Sequence, residues 1–246
     1  MSLHFYECKP QEEPKFLPSI TTVSKARGKE YVYPSVTTVL GAYVDPFMLD
    51  WQKKEMYRIH PGSMTYEDAK EGLYGYRTCP DSGSEIPSSE FGTNAHHRME
   101  LWADGHTLGG SSYDDLLEDA IGKFRVMNAV PIEAEVIMCS QEDECAGTVD
   151  LIAEVDGKFE LFDYKFRDCN GKSKTYDKDL EQLAIESLWV QEHFNLDYLP
   201  RITTVCVCSN TGKAWFKKWK EERQSKGILS FRGLRQMLKT KLGWEI

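Results

Sequence analysis

One hairpin constrains this chain more than any other stretch. Cys145-Ala-Gly-Thr-Val-Asp-Leu-Ile-Ala-Glu-Val155 and Lys158-Phe-Glu-Leu-Phe-Asp-Tyr-Lys-Phe166 are apolar runs separated by Asp156-Gly157. That dipeptide readily supplies the positive-φ backbone of a two-residue turn. Asp150 lies six residues before the turn and Asp163 six after it. A symmetric register therefore sets the two carboxylates opposite each other on one face, and Lys165, two residues beyond Asp163, shares that face.

Elements on either side follow from periodicity. Upstream, Phe91–Trp102 and Tyr113–Met127 read as helices, parted by Gly105, Gly109 and Gly110. In the second, Leu116, Leu117, Ala120, Ile121, Phe124 and Met127 recur near the helical period. Ile132–Cys139 reads as a strand ahead of the hairpin, with strands at Gly147–Val155 and Phe159–Phe166. A helix over 176–192 leads to a strand at Ile202–Ser209, closed by Asn210-Thr-Gly212. A short strand over 214–216, a basic helix through Arg223 and a final helix over 231–242 complete the chain. A strand that returns through a helix runs parallel to its predecessor, so the sheet is mixed. Nearer the N-terminus, residues 1–32 read as a loosely structured lead-in and 33–246 as a single domain. Pro34-Ser35 opens one helix, and Asp45-Pro46 opens another that contains Trp51. The Gly-, Pro- and Ser-rich stretch 60–90 reads as a surface excursion or a lid.

Length and composition (246 residues, 41% hydrophobic, 12% aromatic) fit a folded chain with a sizeable core. No run has the length of a membrane span, and the N-terminus lacks a secretory pattern, so an intracellular, cytoplasmic protein is expected, bacterial or phage-encoded, with an organelle as the alternative. The seven cysteines form no CxxC pairs and are expected as buried thiols rather than disulfides. Cys206 and Cys208 alternate in a strand and so face the same side. Net charge is −9, yet residues 213–241 hold ten Lys/Arg and two Glu, a local +8. That basic region, with Lys217, Lys218 and Lys220, suits a polyanion or an ordinary solvated helix equally.

Buried carboxylates need partners, and hard oxygen ligands suit Mg²⁺ or Mn²⁺. His96 on the first helix is a candidate third ligand, its imidazole favouring Mn²⁺. Glu100, one turn on, could orient His96 or serve a second ion through water. Two carboxylates around a metal with an ammonium alongside point to phosphodiester hydrolysis, with Lys165 steadying charge or orienting water.

Together Gly92-Thr-Asn-Ala-His-His-Arg-Met-Glu100, Gly147-Thr-Val-Asp150, Asp163-Tyr-Lys165 and Gln182 resemble the PD-(D/E)XK nuclease superfamily, within it the RecB-like exonuclease branch. Residues 33–223 look similar to mitochondrial genome-maintenance and phage exonucleases. The resemblance implies an α/β fold, a restriction-endonuclease-like αβββαβ core with a mixed central sheet flanked by helices. It also implies metal ligation by His96, Asp150, Asp163 and the Tyr164 carbonyl, with Lys165 as catalytic lysine. Gln182 would help hold the site and the DNA, while Ser35, Thr37 and Thr38 would lie near the DNA backbone, though Ser35 also suits a helix cap. The family's motif tyrosine is Glu186 here, leaving Tyr176 or Trp189 to supply an aromatic. Trp51, Trp102, Trp189, Trp215 and Trp219 could stack on bases, at least three of them reading as core. The family's iron–sulfur cysteine cluster is absent from this chain. The activity implied is a metal-dependent DNA exonuclease acting on single-stranded or free ends, in repair or recombination, with recombination or replication proteins as further partners. The alternatives are a structure-specific endonuclease and an inactive nucleic-acid-binding protein.

Overall fold

In the computed structural model, residues 3–20, 23–42, 75–169, 172 and 175–242 are described. The expected helix around Trp51, and residues 60–74 of the Gly/Pro-rich stretch, lie outside them.

Five strands form the central mixed sheet. They are β6 (Val130–Ser140), β7 (Cys145–Val155), β8 (Lys158–Arg167), β9 (Arg201–Cys208) and β10 (Ala214–Lys218), ordered β10-β9-β8-β7-β6. The first three pair antiparallel, β8 and β9 are parallel, and β10 returns antiparallel. Helix α3 (Ser88–Ala103) and helix α4 (Ser112–Val126) precede the sheet, and α5 (Asp177–His193) forms the crossover from β8 to β9. The expected order, helix, three antiparallel strands, helix and parallel strand, is the order observed.

Alternation along β8 separates two cores. Leu161 faces α5 and packs with Ile152, Leu183, Trp189 and Ile202. Phe162 and Tyr164 face α4 and meet Phe124 edge-on. The local reasons for α4 are plain in its ends. Ser111 accepts from the Tyr113 N–H, Asp114 and Asp115 occupy the first turn, and Lys123 and Arg125 the last, as the helix dipole favours.

Three features differ from expectation. Residues 221–242 form one helix, α6, rather than two. Gly227 does not break it, because a Cβ there would lie 2.9 Å from the Ala184 side chain, so the glycine serves close approach to α5. Part of the lead-in is ordered: β1 (Phe5–Glu7), β2 (Lys15–Phe16) and β3 (Val32–Pro34) form a small antiparallel sheet, and a short helix, α1 (Val23–Ala26), lies between the last two. Cys8 and Cys139 are joined in a disulfide that ties this sheet to β6, where free thiols were expected. Cys145, Cys169, Cys206 and Cys208 are buried cysteines outside the disulfide, and Cys79 is a half-buried one. Of the stretch read as an excursion or lid, β4 (Tyr76–Thr78) and β5 (Glu85–Pro87) make a hairpin. Helix α2 (Val36–Ala42) begins where Pro34-Ser35 predicted, with Ser35 Oγ accepting from the Thr38 N–H at 3.0 Å.

No helix among the described residues is long and apolar enough to cross a membrane.

Candidate metal centre

The β7–β8 ladder runs from Val155↔Lys158 to Leu151↔Phe162, which places Asp150 opposite Asp163, the symmetric register expected of the turn. Beyond Leu151 the Asp150 side chain takes over the pairing, accepting from the Tyr164 N–H through Oδ2 at 2.6 Å. On the other side, β6 carries a bulge between Pro131 and Glu133, and the ladder then sets Glu135 opposite Asp150. Three carboxylates on three adjacent strands thus lie in one cross-strand row.

Above this row stands α3. Phe91, Ala95 and Met99 are its buried stripe, so the neighbouring row of Ser88, Gly92, His96 and Glu100 lines a groove of about 760 Å³. His4, Tyr6, Ser35 and Thr37 form the opposite wall, and Gly147, Thr148 and Asp150 lie at the floor. Gln182 and Glu186 of α5 also line it.

His96 Nδ1 lies 3.2 Å from Glu135 Oε1 and 3.6 Å from Asp150 Oδ2. One ligand atom from each of the three falls within 4.8 Å of the others. This set of one imidazole nitrogen and two carboxylate oxygens can hold a divalent cation of the Mg²⁺ or Mn²⁺ kind. Burial pulls the His96 pKa down, but the Asp150 and Glu135 carboxylates overcome it and lift the ring to about 9.

Glu135 was absent from the set read from sequence, which named Asp163 and the Tyr164 carbonyl instead. The structure places Asp163 beside the group rather than in it. Asp163 Oδ1 accepts from Lys165 Nζ, and Oδ2 is buried without a hydrogen-bond partner. Burial raises the Asp163 pKa, Lys165 opposes that, and Asp150 adds to it, leaving the carboxyl at about 7. Tyr164 enters through its N–H to Asp150. Glu100 also departs from expectation: its carboxylate accepts from exposed His97 at 3.0 Å, so Glu135, not Glu100, orients His96. Glu135 sits at φ +49°, a conformation L-residues with a long side chain rarely adopt. Such strain persists where surrounding structure enforces it and is concentrated at functional sites.

Lys165 is placed by Asp163 and by Gln182, whose Oε1 lies 3.5 Å from Nζ. Burial lowers the Lys165 pKa, but Asp163 and Asp150 more than compensate, so the ammonium stays charged. Gln182 Nε2 donates to Glu186 Oε1 at 3.2 Å. Glu186 is buried, and burial, with Asp163 and Asp150 nearby, holds its pKa well above the usual carboxylate range. Gly147 makes room for it: a Cβ there would lie 3.0 Å from Glu186 Oε1 and 3.1 Å from Val36 Cγ2.

The remaining expected contacts divide. Ser35 and Thr37 line the groove, and Ser35 is also the cap of α2. Thr38 does not present its hydroxyl to the groove; it is buried, with Oγ1 bonded to Ser35 Oγ and to the His4 backbone. Lys217 and Lys218 lie on the edge strand β10, with Lys220 just after it, and none of the three lines the groove. Trp189 is core, its Nε1 donating to Asp143 at 2.9 Å. Trp102 packs against the α4-side core, Trp215 against the cysteines and Trp219 against the α5-side core. Trp51 lies outside the described residues.

No family model and no curated protein matches the chain. Two of the solved structures to which the chain is similar are distant ones. One, named as a putative exonuclease from Eubacterium rectale, is 12% identical with a TM-score of 0.44, over 63% of this chain and 68% of that one. The other, SSO0001, is 13% identical with a TM-score of 0.32, over 80% of this chain and 88% of that one.

Proposed function

We propose that this protein is a divalent-metal-dependent deoxyribonuclease, an exonuclease that takes single-stranded DNA or a free end into the groove beside α3. The observation that carries the reading is the convergence of His96, Glu135 and Asp150 next to an ammonium, Lys165, held at a fixed distance by Asp163 and Gln182. A site built only to bind a polyanion has no use for three clustered carboxylates. Among the described residues the lining of the groove contains no Lys or Arg; a bound cation, with Lys165 nearby, would attract a phosphate there.

A divalent cation held by His96, Glu135 and Asp150, Mg²⁺ or Mn²⁺, would supply Lewis-acid polarisation of the phosphate and acidify a nearby water. The chain's own residues do the rest. Lys165, charged and hydrogen-bonded to Asp163, stabilises the negative charge that grows on the phosphoryl oxygens as water adds to phosphorus and the P–O ester bond breaks. Its raised pKa suits it to that electrostatic role and not to that of a base. Gln182 Oε1, 3.5 Å from Nζ, is a second oxygen beside the ammonium. Ser35 and Thr37 offer neutral hydroxyls that can position a backbone phosphate without reading sequence. Asp163 is also available as a further oxygen ligand, since Oδ2 has no hydrogen-bond partner.

End-labelled single strands incubated with Mn²⁺, Mg²⁺ or chelator provide the test. The expected result is progressive shortening from an end with metal and none with chelator. Efficient cutting of a covalently closed single-stranded circle would instead assign an endonuclease. Intact strands with every divalent ion would remove the hydrolytic reading altogether.

A further inference from the structure

Beyond the metal centre, α5 and β8 are joined by a second polar rung. Arg167, two residues past Lys165 on the same face of β8, makes two hydrogen bonds to Asp179, at 2.8 and 2.7 Å. Asp179 is buried and lies one helical turn before Gln182, the residue that meets Lys165. The Asp179 carboxylate also accepts from the Tyr176 N–H at 2.8 Å. The Arg167 guanidinium in turn lies over the Tyr176 ring, 4.6 Å from its centroid. Tyr176 is nevertheless 55% exposed.

An exposed aromatic ring held this firmly is unusual, because surface rings ordinarily keep their rotamer freedom. Here the backbone is pinned by Asp179 and the ring by a guanidinium that Asp179 itself holds flat. Two residues of strand separate Arg167 from Lys165, roughly 7 Å, comparable to the separation of neighbouring phosphates in an extended strand. The other aromatic considered for this role, Trp189, is buried and committed to Asp143. Tyr176 is therefore a braced, accessible ring against Arg167, two residues along β8 from Lys165.

We propose that Tyr176, braced by Arg167, is a stacking platform for an unpaired base of the strand whose phosphodiester lies at Lys165. The inference rests on the nuclease reading for the placement of the strand, but not for the binding itself. It assigns the preference for single-stranded substrate to a specific ring, because a paired base has no free face to offer. Arg167 polarises the ring from behind and prevents it from turning away, and the open face takes any base, since every base has a π-surface.

The test is fluorescence anisotropy of a short fluorescein-labelled single strand with the full chain, with Ca²⁺ in place of Mg²⁺ or Mn²⁺. Tyr176→Ala should weaken binding roughly 5- to 100-fold, the range that loss of one base–aromatic stack gives. Tyr176→Phe, which keeps the ring and loses the hydroxyl, should bind as wild type does. One abasic nucleotide placed in turn along the strand should weaken wild-type binding at one position and leave Tyr176→Ala indifferent there. Equal affinity of wild type and Tyr176→Ala overturns the proposal, as does an abasic penalty that survives in Tyr176→Ala. Loss of binding in Tyr176→Phe equal to that in Tyr176→Ala overturns stacking as the cause. Wild-type binding that shows this pattern without hydrolysis under any metal leaves the platform standing and removes the nuclease reading. No wild-type binding of any strand removes both.

Discussion

Replacing Glu135 with Gln isolates the charge of the residue that sequence reading overlooked. Glutamine keeps the length and a carbonyl oxygen facing His96, so the change is electrostatic rather than steric. His96 is raised from 6.5 to about 9, which corresponds to roughly 3 kcal/mol favouring the protonated ring in the native state. The Asp150 charge is the largest single raising interaction, and Glu135 adds two more, a hydrogen bond and its charge; Glu135→Gln removes that charge and should lower the His96 pKa by about 1, on the order of 1 kcal/mol. The sign for stability follows. A histidine whose folded pKa is raised contributes stability that is complete below 6.5 and is lost as pH rises through about 9. Asp163, raised from 3.8 to about 7, loses its contribution over a lower window, and Glu186, also raised, is common to wild type and variant, so between 7 and 9 the difference between the two proteins reports on His96. Metal-free wild type should therefore melt at progressively lower temperature across that interval, and Glu135→Gln should show a shallower fall that ends sooner. Ring-proton NMR titration of His96 in chelator measures the pKa directly. Metal binding requires the neutral ring, so Mn²⁺ affinity should climb with pH in wild type, and Glu135→Gln, which loses a carboxylate from the set that would hold the ion, should bind Mn²⁺ more weakly at a given pH. A His96 pKa in the variant equal to or above that of wild type would refute the assignment of Glu135 to this site.

Three further expectations concern the frame around the centre. Asp143 accepts from Trp189 Nε1 and from Arg232 Nε at 2.9 and 2.8 Å while itself buried; Asp143→Ala should cost about 3–5 kcal/mol in urea unfolding, and a loss under 1 kcal/mol would show those partners re-bonding elsewhere. Gly147→Ala should displace Glu186 and Val36, costing about 1–3 kcal/mol in the same assay and lowering the hydrolysis rate with it; a fully active, equally stable variant would show that Glu186 yields freely. The Cys8–Cys139 cross-link closes a loop of 131 residues, so reductant should lower stability by up to roughly 5 kcal/mol. Cys8→Ser should remove that sensitivity to reductant, and a melting temperature indifferent to reductant in wild type would contradict the cross-link.

The hairpin was readable because its turn is: Asp156-Gly157 fixes the bend, and equal counting on both sides then pairs Asp150 with Asp163. Glu135 was not, for a physical reason. Ile132-Glu-Ala-Glu-Val-Ile looks like a strand with carboxylates on its solvent face. Which residue opposes Asp150 depends on the register across the turn at 141–144, and a slip of one residue reverses every side chain. The left-handed backbone at Glu135 leaves no trace in sequence either. His96 was legible through the row it shares with Gly92, but its carboxylate partner was sought on the same helix, at Glu100, when it lies on a strand. The disulfide joins residues too far apart in sequence for spacing to pair them. The single C-terminal helix depends on Gly227, a residue that weakens helices in isolation and here permits close contact with Ala184.

On the proposed reading, Lys165 assists phosphodiester hydrolysis at a metal held by His96, Glu135 and Asp150. The most direct test of that reading is single-turnover cleavage of a labelled single strand at saturating Mn²⁺ by wild type and Lys165→Ala, with Mn²⁺ affinity measured alongside. Lys165→Ala should cleave more slowly by on the order of 10²–10³-fold with Mn²⁺ affinity not reduced, since Lys165 is not a ligand. A Lys165→Ala protein that cleaves at the wild-type rate would contradict that reading.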